Sequence, residues 1–304
     1  MLIVSNYHYI RNNFEAPYQS IFGVTPKEFK SQLIEFKNSG SFIHPKDLLL
    51  NKKEILETKE KFYLITFDDG LKEQMNLALP ILDELNIPAI FFVNSVNHEE
   101  KKISLVHKIH LIRSQIDSNI ILEFLDKNHN VKLFGDEFNK AYETYIYDNK
   151  LDAEVKYLLN FKISHALLNE VINELFDEFM GVENLVETLY MSKKDLLELS
   201  KRGFLGSHTH NHIPIAKLND DELIFELKHS KEYLEKVTNS NIDFISYPYG
   251  TKEACDQRVA QFAKDVGYKI GFSTIRGNNL NDSNLLLLNR FDCNDLPGSK
   301  KYKK

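Results

Sequence analysis

The sequence predicts an α/β fold built on a parallel sheet and interrupted by a helical insertion. Three observations predict it. Short apolar runs of the kind a strand covered on both faces requires recur in the first and last thirds of the chain. Segments of helical periodicity separate those runs, so successive strands are joined by crossovers and run parallel. Between about residues 99 and 190 the alternation stops, and charged, Leu/Ile-rich segments of helical period take its place. At 304 residues and 42% hydrophobic content the chain can bury one large domain or two small ones. The expected organisation is a sheet domain from residues 1–98 and 190–304, with 99–189 as a helical insertion packed on it.

Taken in order, Leu2–His8 is a mostly apolar run that ends in polar groups, as a buried parallel strand does where it opens toward solvent. Thr25, Pro26 and Glu28 supply an N-cap, a first-turn proline and a capping-box acid, and Phe29, Leu33 and Phe36 follow at helical spacing. Phe62–Phe67 is a second buried strand, which leads directly into Asp68, Asp69 and Gly70. Leu71–Leu85 reads as a helix and Ala89–Val93 as the next strand. After the insertion, Ser192–Asp195 caps a helix, and Phe204–His208 is a short strand and turn. A helix over about Asp220–Val237 precedes a strand, Phe244–Gly250, that ends in a proline turn. Gln257–Val266 is helical, Ile270–Thr274 is a strand, and Leu285–Phe291 is the last.

Composition narrows the function. A net charge of -6 offers no field for nucleic acid, and the small basic cluster at 299–304 reads as a frayed, solubilising terminus. Two cysteines, Cys255 and Cys293, are too few for a disulfide framework and too far apart for a zinc knuckle, so both are expected to be reduced and semi-buried. Neither a basic leader with an apolar run nor an apolar stretch of about 18 residues occurs, which predicts a protein without a transmembrane segment in the cytoplasm.

Two clusters carry chemistry. Asp68 and Asp69 sit at a strand end, where unpaired neighbouring carboxylates repel. A cation resolves that conflict, because adjacent side chains diverge and one carboxylate can bind a metal while the other remains a base. An exposed Asp-Gly turn would explain this pair taken alone. The second cluster is His208, His210 and His212, three histidines within five residues of an acidic chain. In a strand all three would share a face. Gly206, Ser207 and Pro214 favour a tight turn instead, which pairs His208 with His212 and leaves His210 outside the ligand set. Two imidazoles with Asp69 leave coordination positions open, as a catalytic metal site does.

Asp68–Gly70 after Thr66-Phe67, then Ser207–His212, then Tyr247-Pro248-Tyr249-Gly250, in that order and each at a strand end, resemble the polysaccharide deacetylase family, carbohydrate esterase family 4. The resemblance covers about residues 1–98 and 190–292. It implies a distorted (β/α) barrel and a divalent metal, zinc first with cobalt or nickel as alternatives, held by Asp69, His208 and His212. It also implies Asp68 as the base that activates water and the Tyr249 N–H as an oxyanion donor, with Tyr247, Pro248 and Tyr249 lining the substrate site. The substrate it implies is an N-acetylated sugar. Two departures matter: Ser246 stands where the family's third motif opens with arginine, and no histidine follows His229 to match the family's C-terminal acid. A permuted branch of the family carries that acid on the N-terminal strand, and His8 matches its position. Arg290 and Asp292 alternate on the last strand and either pair with Asp68 and with an imidazole or form a plain salt bridge to the neighbouring strand. His107 and His110 are read as residues of a helix over the barrel mouth, and His44 as a loop residue. The rival functions are hydrolysis of a non-sugar amide or N-formyl group, a carbohydrate-binding protein that has lost catalysis, and a purely structural metal.

Overall fold

The structure, a computed structural model, describes residues 1–17, 23–146, 148–180 and 185–298. The basic cluster at 299–304 lies outside the described residues. Among those residues no helix is long and apolar enough to cross a membrane. Contacts divide the described residues into two compact units, one falling within 1–13, 22–102 and 186–304, the other within 14–21 and 103–185.

The first unit opens with β1 (Leu2–Tyr7), α1 (Pro26–Ser39), β2 (Ser41–Phe42), α2 (Pro45–Glu57) and β3 (Phe62–Phe67). The Thr25/Glu28 capping box closes both ways at the start of α1, and His44 accepts a hydrogen bond from the Lys46 N–H as N-cap of α2. Next come α3 (Leu79–Leu85), β4 (Ala89–Val93) and the short α4 (Ser95–Glu99). The expected single helix over Leu71–Leu85 is instead a π-helical turn at Gln74–Ala78 followed by α3. Pro80 explains the difference. It lacks an N–H and its ring crowds the carbonyl four residues back, and the wider turn relieves both.

The second unit is helical. Its elements are α5 (Leu105–Gln115), α6 (Ser118–His129), α7 (Glu137–Thr144), α8 (Lys150–Tyr157) and α9 (His165–Phe179). α9 packs on α5 and α6, and α8 on α6 and α7, around Ile121, Leu125, Val155, Ile172 and Phe176, all buried. The chain then runs through α10 (Leu185–Leu189), α11 (Lys193–Arg202), β5 (Leu205–Ser207), α12 (Asp220–Thr238), β6 (Phe244–Ser246), α13 (Gln257–Val266), β7 (Ile270–Phe272) and β8 (Phe291–Asp292).

All strand pairings in the sheet are parallel, in the order β7-β6-β5-β4-β3-β1-β8, with β2 added beside β3. The expected strand over Leu285–Phe291 is reduced to a single bridge at Leu288 and the two-residue β8. Asn279 is the cause. Its side chain accepts from the Asn289 N–H at 2.8 Å and donates to the Asn289 carbonyl at 3.0 Å, taking bonds a neighbouring strand would have made. The segment nevertheless joins the two ends of the sheet. Leu288 hydrogen-bonds Gly271 and Ser273 on the β7 side, and β8 pairs with β1. The sheet therefore closes into a distorted (β/α) barrel.

Side chains alternate across the strands as the pleat requires. Leu2, Val4, Leu64, Ile90, Phe92, Phe244, Ile270 and Phe272 form one buried cluster. Ile3, Tyr7, Tyr63, Ile65, Phe67, Phe91 and Ile245 face α1, α3, α11 and α12 in another. Polar groups are left to the strands' C-terminal ends, where parallel barrels place their sites. Both cysteines are free and fully buried rather than semi-buried. Burial pushes the Cys255 thiol up to about 12 and that of Cys293 higher still, so neither is a nucleophile at neutral pH.

Candidate active site

Strand register brings the motifs together. Tyr7 of β1 lies opposite Phe67 of β3, so His8 and Asp68 leave the sheet side by side. Val93 of β4 lies opposite Ser207 of β5, which sets Asn94 beside His208, and Asn94 Nδ2 donates to the His208 carbonyl. The backbone then turns sharply. Asp69, Thr209, His212 and Tyr249 all have positive φ, at 76°, 62°, 57° and 62°. Left-handed conformations at non-glycine residues cost energy and gather where side chains must be aimed, and here they fall within the three motifs. Gly70, also at φ 62°, has a second constraint, because a Cβ there would stand 2.6 Å from Val93 Cγ1. Gly70→Ala is therefore expected to lower unfolding free energy by about 1–3 kcal/mol, read from the thermal midpoint.

Three ligand-type atoms converge at this end of the barrel. Asp69 Oδ1 lies 3.5 Å from His208 Nε2 and 3.2 Å from His212 Nε2, and all three residues are buried. The two imidazole rings stand 5.0 Å apart at 71°. His208 Nδ1 is 2.7 Å from the Ser246 carbonyl. A carbonyl only accepts, so the ring proton sits on Nδ1 and the Nε2 lone pair faces Asp69. A buried carboxylate facing two imidazole nitrogens is a donor set that suits zinc or a similar divalent ion. His210 turns elsewhere, with its ring against Phe225 and His229.

Asp68 occupies a different environment from its neighbour. Arg290, fully buried, donates from Nη1 to Asp68 Oδ1 at 2.8 Å and from Nη2 to Asp68 Oδ2 at 2.7 Å. Its remaining N–H groups reach the Ser273 carbonyl, Asn6 Oδ1 and Ser246 Oγ. The guanidinium is thereby saturated and fixed in one orientation. Burial alone would raise the Asp68 carboxyl. Arg290, with His208 and His8, outweighs that and holds it well below the usual carboxylate range. Ser246, at the position of the family arginine, thus accepts a hydrogen bond from an arginine supplied by the segment just before β8. His8 Nε2 stands 3.9 Å from Asp68 Oδ2, and the His8 side chain is 39% exposed.

Two expected site residues are placed elsewhere. Asp292 meets no imidazole among the described residues: it is exposed, and its Oδ1 accepts from the N–H and Nδ2 of Asn294, capping the turn after β8. The shortened strand explains this, since Asp292 ends β8 where the chain turns. Tyr247 is wholly buried in the core, its hydroxyl packed against Gly271, and so cannot line a substrate site. Pro248 is buried too, whereas Tyr249 is 48% exposed with its ring 5.3 Å from that of His212. His107 and His110 lie on α5 with ring centroids 6.3 Å apart and join no group of three metal-type donors among the described residues.

Several supporting residues were not anticipated. Gln74 Nε2 donates to the carbonyls of Asp68 at 2.6 Å and His8 at 2.9 Å, tying the two strand ends together. Buried Glu226 on α12 accepts from the His210 and Asn211 N–H groups, both at 2.9 Å, and holds the histidine loop. Asn94 had a legible signal, being a polar residue directly after an apolar strand.

The polysaccharide deacetylase family profile matches residues 56–143 and 171–271. The chain belongs to that family. It is accordingly a carbohydrate deacetylase by family, and the distorted barrel is the family's fold. No curated protein matches it. Among solved structures, the Streptococcus pyogenes deacetylase PplD is similar at 20% identity and a TM-score of 0.57, over 97% of this chain and 92% of that one. IcaB from Ammonifex degensii is similar at 17% identity and a TM-score of 0.57, over 98% and 94%. A de-N-acetylase from Aggregatibacter actinomycetemcomitans follows at 14%, 0.55, 95% and 94%. At these identities the likeness is one of fold.

Proposed function

We propose that this deacetylase is a metal-dependent hydrolase that removes the N-acetyl group of an amino sugar, with Asp68 as base and His8 as acid. The observation that carries the proposal is the division of labour between adjacent carboxylates: Asp69 faces two imidazoles, and Asp68 faces an arginine and a histidine. The first unit is taken as the catalytic barrel and the helical unit as an insertion within it.

Asp69 Oδ1, His208 Nε2 and His212 Nε2 would hold the ion, zinc in this proposal. When bound, a divalent ion supplies Lewis acidity toward the acetyl carbonyl and makes water easier to deprotonate. Asp68 takes a proton from the attacking water. Arg290 keeps that carboxylate ionised and fixes its plane, so its lone pairs are oriented before substrate arrives. As the acetyl carbon becomes tetrahedral, the Tyr249 N–H, which makes no hydrogen bond among the described residues, donates to the oxygen that gains charge. Breaking the C–N bond requires a proton on the sugar nitrogen, and His8 delivers it. Acetate and a free amine leave, and water is consumed.

A sugar is favoured as substrate because the exposed Tyr249 ring offers an aromatic surface beside the reacting groups, against which the C–H face of a pyranose can pack. The Streptococcus pyogenes deacetylase is described in complex with acetate, the product of such a reaction.

The test is mass-spectrometric detection of deacetylated product from a panel of N-acetylated mono- and oligosaccharides, with an N-formyl and a non-sugar amide as controls. Loss of acetyl from sugars alone is the expected result. Turnover of the controls in preference to every sugar would overturn the substrate assignment. His8→Ala is expected to lower kcat by about 10²- to 10³-fold with zinc content unchanged, because the water can still be deprotonated but the amine cannot leave. Full activity in that variant would remove His8 from the mechanism.

A further inference from the structure

A second group of metal-type side chains assembles beside the histidine loop. Glu99 at the end of α4, His210 in the loop and His229 on α12 place their ligand atoms within 4.8 Å of one another. His210 is buried, with Nδ1 2.7 Å from Ser95 Oγ and Nε2 3.1 Å from Glu100 Oε1. His229 Nε2 is 2.6 Å from Glu99 Oε2. Phe225 stacks on the His229 ring at 4.8 Å and 18°, and meets the His210 ring edge-on at 5.4 Å. The two imidazoles are thus held 4.7 Å apart at 84° by packing. The loop itself is pinned at His210 by Glu226 and by the Val96 N–H on the His210 carbonyl.

We infer that Glu99, His210 and His229 form a second transition-metal site, separate from the Asp69 group and taking zinc, nickel or copper, with Glu100 within reach as a further ligand. Three points argue for it. The donors come from three elements, α4, the histidine loop and α12, and bring two imidazoles and a carboxylate to one point. Imidazole with carboxylate suits borderline transition metals, whereas calcium and magnesium require mostly oxygen. As plain ion pairs the contacts would stabilise little, since Glu99 and His229 are each about a third exposed at 35% and the other oxygen of Glu100 already pairs with Lys102 at 2.6 Å. A bound cation would satisfy both rings and Glu99 together, and would clamp α4 and α12 to the loop that also carries His208 and His212.

The Glu99, His210 and His229 group takes no part in the proposed reaction, so metal content and not activity reports on it. Equilibrium dialysis of the full chain against zinc, with metal content measured by atomic spectroscopy, is run on wild type, Glu99→Gln and His229→Ala. The expected result is one equivalent of zinc fewer in each variant than in wild type. Glu99→Gln is conservative and partly exposed, so it carries the comparison even if His229→Ala folds poorly. Zinc should also raise the wild-type thermal midpoint more than that of Glu99→Gln. Equal zinc content in wild type and both variants would overturn the site. A single wild-type equivalent that Glu99→Gln removes would support this site and count against the Asp69 group instead.

Discussion

Asp68→Asn is expected to reduce kcat/KM for N-acetyl hydrolysis by about 10²- to 10⁴-fold, because an amide at that position cannot take the water proton. The size of the effect follows from the surroundings. Arg290 donates to both Asp68 oxygens and His8, the proposed acid, lies 3.9 Å from Asp68 Oδ2, so Asp68 combines an anionic lone pair with a fixed position beside the metal-type donors. Zinc content should be kept, since Asp69, His208 and His212 are untouched, and steady-state kinetics alongside metal analysis separates loss of the base from loss of the ion. Asp69→Asn is the contrasting variant and should lose both. Asp68→Asn also turns an NH₂ group toward a guanidinium, so its rate is to be measured well below its own thermal midpoint.

Arg290→Met carries the second large effect, this time on stability. The guanidinium is fully buried and uses its N–H groups on Asp68, Asn6, Ser246 and the Ser273 carbonyl. Its removal strands a buried carboxylate and leaves several acceptors unfilled at once. Breaking a buried pair from one side costs about 3–5 kcal/mol, which should appear as a marked fall in the thermal midpoint. Arg290→Lys should recover only part of the loss, because an ammonium has three donors and cannot replace the planar fork of five that reaches Asp68, Asn6, Ser246 and the Ser273 carbonyl together. Activity should fall with either change, as Asp68, the proposed base, loses the partner that keeps it ionised and oriented. A thermal midpoint equal to that of wild type in Arg290→Met would show that the contact adds nothing to the fold.

Much of this site could be read from the chain because its parts are local. Asp68 and Asp69 follow an apolar strand directly, the histidines lie within one turn, and a parallel sheet brings strand ends together without further information. Arg290 could be matched to Asp68 through the alternation of the last strand. The same reasoning misplaced Asp292, because Asn279 takes over the hydrogen bonds at Asn289 and the strand is cut short, a contact between distant residues that no local pattern shows. Tyr247 was misplaced for a related reason. A Tyr-Pro-Tyr-Gly turn does not reveal which ring faces the core, and it is Gly271 on the neighbouring β7 that leaves room for the Tyr247 hydroxyl. Gln74 and Glu226 were invisible as supports because each is an ordinary helical polar residue until packing aims it at a strand end or a loop.

The most direct measurement of the central claim is acetate release from an N-acetylated oligosaccharide by protein stripped with chelator and then titrated with zinc, run in parallel on wild type and His208→Ala. Release that is absent in stripped wild type, returns in proportion to zinc bound and fails to return in His208→Ala is the predicted result. Undiminished release by the stripped protein, or full recovery in His208→Ala, would contradict it.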